Sequence, residues 1–144
     1  MLIFPQENDK TKPYQFSLSR RERVMRKIFL LEDDQGIREV LEILLSSEDY
    51  IVHSFSSIKD FRKRDRSVLA DLYLFDVMLP DGSGIDLCKE IKEEENNRNV
   101  PFMIMSAHAS LGDLKGICEP ADFISKPFDI IHLLERVKSV IAQQ

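Results

Sequence analysis

Four short apolar runs in this chain each end in residues able to do chemistry. Residues 28–31 are followed by Glu32-Asp33-Asp34, residues 72–75 by Asp76, residues 101–105 by Ser106, and residues 123–124 by Ser125-Lys126-Pro127. Gathered in one place, these would be three or more carboxylates, a hydroxyl and an ammonium. Crowded carboxylates repel one another, and an ionised cluster calls for a cation. Mg²⁺ suits it, being a hard ion that takes oxygen ligands and keeps waters that an incoming phosphate can replace. The set also divides the work of phosphoryl transfer, which rests on positioning and charge neutralisation. In that division Asp76 attacks phosphorus and becomes an aspartyl phosphate. Glu32 and Asp33 hold the metal beside it. Lys126 pairs with Asp76 before reaction and with a phosphoryl oxygen after it, and Ser106 donates a hydrogen bond to another of those oxygens.

Taken singly, each residue has an ordinary explanation. An acid after a strand often caps the next helix, and Asp34, before Gln35-Gly36, is read that way. A lone serine or lysine is usually a loop or solvated residue. Joint placement at successive strand ends is what makes a site, so the elements that supply those ends matter. Strands are expected at 28–31, 51–55, 72–75, 101–105 and 123–124. Between them, Ile37, Val40, Leu41, Leu44 and Leu45 recur at helical spacing, a polar helix is expected near 57–66, and Ile85, Cys88 and Ile91 form another stripe. A last helix from about Phe128 carries Ile131, Leu134, Val137 and Ile141 on one face. Alternating strands and helices imply parallel pairing through right-handed crossovers. The result is an α/β fold with a doubly wound five-stranded parallel sheet, apolar on both faces. Such a sheet places its chemistry at the carboxyl ends of its strands.

The 144 residues allow one domain, and 43% apolar content is enough to fill one core. Residues 1–26 differ from the rest: they are polar, contain Pro5 and Pro13 and show no sustained period, so they read as an irregular N-terminal extension before a domain at 27–144. No apolar run reaches membrane-spanning length and the start lacks the layout of a signal peptide, which predicts a cytoplasmic protein. Cys88 and Cys118 lack metal-ligand spacing and are expected as reduced thiols. A net charge of −5 argues weakly against a nucleic-acid surface; the basic clusters at 20–27 and 62–66 are read first as solvated faces, with a polyanion contact as the alternative.

The text IFLLEDD, then QGIREVL, LYLFDVMLPDGSGIDLCKEIK, PFMIMSA and ADFISKPF resembles the receiver domain of two-component response regulators over residues 27–142. The resemblance implies a flavodoxin-like (βα)5 fold with strand order 2-1-3-4-5, of the single-domain, CheY-like kind. It implies that Asp76 is the phosphoacceptor, that Glu32 and Asp33 are the acidic pair, and that Met78 offers its backbone carbonyl to Mg²⁺. Ser106 matches the hydroxyl switch residue, Phe123 the switch aromatic and Lys126 the lysine, with a cis bond to Pro127. His108 and Met78 would flank the site. The implied donor is a sensor histidine kinase or phosphotransfer protein. The output would be a changed surface for an unidentified protein target, with no direct DNA binding, no output domain in cis, no membrane contact and no catalysis beyond the domain's own phosphoryl transfer and autodephosphorylation.

Three other readings fit less well. A degenerate receiver that binds partners without phosphorylation is opposed by the full set of Glu32, Asp33, Asp76, Ser106 and Lys126. A phosphatase of the haloacid dehalogenase type needs an acid two residues past its nucleophile, where Met78 stands. A flavin module of this topology needs a phosphate-cradling loop rich in Ser, Thr and Gly after its first strand. Between Ala107 and Pro120, Gly112, Gly116 and Pro120 oppose a long helix, and a helix of about two turns or fewer is expected there.

Overall fold

The computed structural model describes residues 25–107 and 118–143. The expected N-terminal extension up to Val24, His108, and the short helix expected after Ala107 therefore lie outside the described residues, save for the ends of that last stretch. Five parallel strands, β1 (Lys27–Leu31), β2 (Ile51–Phe55), β3 (Leu72–Asp76), β4 (Phe102–Ser106) and β5 (Asp122–Ser125), form one sheet in the order β2-β1-β3-β4-β5. This is the doubly wound α/β arrangement expected from the alternating pattern. Register is continuous across the sheet: Phe29 stands opposite Tyr73, Tyr73 opposite Phe102, and Ile104 opposite Phe123.

Alternation along each strand sorts the core into two halves. Ile28, Leu30, Leu72, Leu74, Met103 and Met105 point to one face, where α1 (Gln35–Ser47) and α4 (Ile130–Ala142) cover them. Phe29, Leu31, Tyr73, Phe75, Phe102 and Ile104 point to the other, under α2 (Ile58–Arg62) and α3 (Gly84–Lys92). The second half is mostly aromatic. Tyr73 stacks on Phe102 at 4.7 Å between ring centroids, and Phe61 meets Phe75 edge-on at 5.3 Å. Fully burying each such side chain contributes roughly 1.5–3 kcal/mol.

Two helices depart from the expected stripes and a third from its expected length. Leu41 and Leu45 are the buried residues of α1, while Val40 is 42% exposed. In α4 the buried stripe is Leu133, Val137, Val140 and Ile141, with Ile131 68% exposed. Asp129 accepts hydrogen bonds from the Ile131 and His132 amides and starts that helix at Ile130 rather than Phe128. The helix expected over 57–66 stops at Arg62. Just beyond it Asp65 accepts from both the amide and the hydroxyl of Ser67, a local turn that competes with helix. Cys88 and Cys118 are also not the separate thiols expected: the structure joins them as a disulfide, because the fold packs α3 against the chain leading into β5.

Candidate functional site

Parallel strands bring all five carboxyl ends to one edge, and the predicted residues meet there. β1 delivers Glu32, which is fully buried, and Asp33, which is exposed. β3, the central strand, ends in Asp76, only 6% exposed, and β4 ends in buried Ser106. Ligand oxygens of Glu32, Asp33 and Asp76 all lie within 4.8 Å of one another. Asp34 takes the capping role expected of it, accepting from the Ile37 amide at 2.9 Å. Helix α1 then returns Arg38, whose guanidinium donates to the Glu32 carbonyl at 2.9 Å and pins the acidic loop.

Lys126 enters from beyond β5. Its amide donates to the Ser106 carbonyl at 2.9 Å, and its bond to Pro127 is cis. The ammonium donates to Asp76 Oδ2 at 3.1 Å and to Glu32 Oε1 at 2.7 Å. The pairing with Asp76 follows the sequence reading; the nearer pairing with Glu32 does not appear in it. Burial pushes the Glu32 carboxyl up from its ordinary range, against the pull of Lys126. Burial also works to lower the pKa of Lys126, but the bonds to Glu32 and Asp76 outweigh it and hold the ammonium above its ordinary range. One ammonium thus faces three carboxylates, a donor set that fits a hard divalent cation.

The loop after Asp76 is a small hairpin. Met78 pairs with Ser83 and Leu79 with Gly82, leaving the Met78 side chain 63% exposed two residues past Asp76. The Gly84 amide donates to the Val77 carbonyl at 2.8 Å, and a β-carbon on Gly84 would collide with the carbonyl oxygen of Asp76. Asp81 accepts from the amides of Ile58 and Lys59, tying the loop to α2. Arg38, Asp81 and Gly84 are positioning residues the sequence reading missed. The one signal for two of them was the turn text PDGSG.

Phe123 is half-buried against the aromatic half of the core, opposite Ile104, with its carbonyl accepting from Arg136 at 3.1 Å. Beside Lys126 opens an apolar groove of about 480 Å³, lined by Ile37, Val40, Ala107, Phe128 and Ile130.

Comparison with known proteins agrees with this fold. The family model described as the response regulator receiver domain matches residues 28–138. The transcriptional regulatory protein GltR of Pseudomonas aeruginosa is 37% identical over 118 residues, 81% of this chain and 49% of its own length. The chain spans about half the length of the curated relatives it matches. Among solved structures, the non-phosphorylated HemR receiver domain of Leptospira biflexa is 33% identical with a TM-score of 0.71, covering 81% of this chain and 94% of that one. TrrA of Thermotoga maritima, in complex with Mg²⁺ and BeF, shares the fold at 23% identity and a TM-score of 0.70, covering 81% of this chain and 99% of that one. With the family model matched over residues 28–138 and the sheet ordered 2-1-3-4-5, the chain belongs to the response regulator receiver domain family.

Proposed function

We propose that this domain is a phosphorylation-dependent switch with Asp76 as its phosphoacceptor. The observation that carries the reading is the setting of Asp76: a nearly buried carboxylate at the end of the central strand, within 4.8 Å of two further acids and bonded to Lys126. The donor is a phosphohistidine on a sensor kinase or a phosphotransfer protein. A carboxylate oxygen of Asp76 forms the new O–P bond as the N–P bond breaks, and the electron pair leaves with the imidazole, which takes up a proton. Lys126, held as an ammonium, neutralises charge on a phosphoryl oxygen, and Ser106 donates to another.

Glu32, Asp33, Asp76 and the Met78 carbonyl would hold Mg²⁺, which supplies charge neutralisation at the phosphoryl group. Support comes from the acidic cluster and from the Mg²⁺–BeF complex of TrrA. The apolar groove beside Lys126 gives the donor protein a desolvated place to dock. Once phosphorylated, Asp76 favours the arrangement in which Ser106 approaches it and Phe123 follows, altering the surface offered to a protein target. The domain acts in the cytoplasm and catalyses only its own phosphorylation and dephosphorylation. No direct contact with DNA is assigned to the domain itself.

Intact-mass spectrometry after treatment with acetyl phosphate and Mg²⁺ tests the assignment. The native protein gains one phosphoryl mass and Asp76→Asn gains none; retention of that mass in the variant overturns it.

A further inference from the structure

Cys88 sits on α3 and Cys118 in the chain that leads into β5, and both are buried in the aromatic half of the core. Their α-carbons lie 6.2 Å apart, inside the roughly 4.4–6.8 Å range that a disulfide spans. The link joins positions 30 residues apart, so the loop it closes contains β4 and Ser106. One helical turn beyond Cys88, Lys92 donates to the Glu119 carbonyl at 2.8 Å. α3 therefore grips the same short stretch twice, once covalently and once by a hydrogen bond. Phe123, five residues past Cys118, packs on the core half that holds both sulfurs. The residue proposed to move on phosphorylation thus shares its packing with the cross-link.

We propose that Cys88 and Cys118 form a reversible thiol–disulfide site, and that closing it holds the chain before β5 against α3 and resists the switch. The inference rests on the reading of Asp76 as phosphoacceptor. In the reducing compartment of that reading, a disulfide is a transient, redox-sensing bond rather than a permanent staple. The oxidant is a small disulfide such as glutathione disulfide. The two cysteine thiols become one S–S bond, the S–S bond of glutathione breaks, and the two protons and two electrons end on two glutathione thiols. Because both sulfurs are buried, exchange waits on local opening of the fold.

The switch and the link share one equilibrium. A constraint that favours the unphosphorylated arrangement must weaken binding of a phosphoryl mimic by the same factor.

The test uses the full chain incubated with glutathione disulfide or with dithiothreitol. Thiols are counted by maleimide labelling of the denatured protein and intact mass. Beryllofluoride with Mg²⁺ is then titrated into each form and followed by amide NMR. The expected result is two labelled thiols in the reduced form and none in the oxidised form, with mimic affinity on the order of tenfold lower in the oxidised form. Cys118→Ala binds the mimic equally well after either treatment. Comparison of the two native forms needs no substitution, so a poorly folding variant does not blunt the test. Two labelled thiols after oxidation, or glutathione added in place of the internal bond, overturns the site. Closure with affinities equal to within about twofold overturns the coupling. A reduced form that binds no beryllofluoride overturns the reading of Asp76 and the coupling with it, while the thiol count still decides the link.

Discussion

Lys126 donates to Glu32 at 2.7 Å, a shorter contact than its 3.1 Å bond to Asp76. Glu32 has no exposed surface, and the Lys126 side chain is 18% exposed. The ammonium is therefore anchored to a buried acid other than Asp76, the proposed phosphoacceptor. Lys126→Met would leave Glu32 buried without its cation, at a cost on the order of 3 kcal/mol in unfolding free energy. Glu32→Gln, which keeps a hydrogen-bond acceptor for Lys126, should cost distinctly less. Urea unfolding of the two variants checks the order; equal losses would show that the pair does not anchor the lysine.

Asp33 stands at the exposed rim of the same cluster. Removing it relieves repulsion among the acids while taking away one of the proposed Mg²⁺ ligands. Asp33→Ala is expected to weaken Mg²⁺ binding about tenfold or more and to slow phosphoryl uptake, with a melting temperature equal to or above that of the native protein. The chain has no tryptophan, so calorimetric titration is the suitable readout. An unchanged Mg²⁺ isotherm would remove Asp33 from the ligand set.

At Gly84 the loop turns back on Asp76 so closely that a methyl group has no room beside the Asp76 carbonyl. The obstacle is backbone, which no side-chain rotation can relieve. Gly84→Ala should cost roughly 1–3 kcal/mol through overpacking and displace Asp76 from the acids and Lys126. Phosphoryl uptake should fall with stability in this variant, unlike in Asp33→Ala. Native-like uptake in a stably folded Gly84→Ala protein would show that the close approach is not needed for the site.

The site was legible because a parallel sheet turns sequence position into spatial position. Glu32, Asp76, Ser106 and Lys126 each end an apolar run, and the topology alone sends those ends to one edge. What depends on how elements approach one another was not legible. Leu133 and Leu134 both fit a helical stripe, and the angle at which α4 meets the sheet decides that Leu133 is buried. Cys88 and Cys118 are separated by a strand and by the chain leaving it, so nothing in their spacing marks them as neighbours. The share of Lys126 taken by Glu32 follows from a distance of about one hydrogen bond, below what strand-level reasoning resolves.

Asp81 supplies the last prediction, on pH. Its carboxylate accepts from the amides of Ile58 at 2.9 Å and Lys59 at 2.8 Å, joining the loop after Asp76 to the start of α2. Those backbone bonds hold its pKa below the ordinary aspartate value. A carboxyl depressed on folding contributes stability that is complete above its unfolded pKa and is lost as pH falls through the folded one. Asp81→Ala should therefore melt below the native protein at about pH 7, and the gap should close on acidification below the ordinary aspartate range. Amide exchange at Ile58 and Lys59 should quicken in the variant, since both donors lose their acceptor. A melting gap that stays constant from neutral to strongly acidic pH would show that the charge on Asp81 is not what secures the loop.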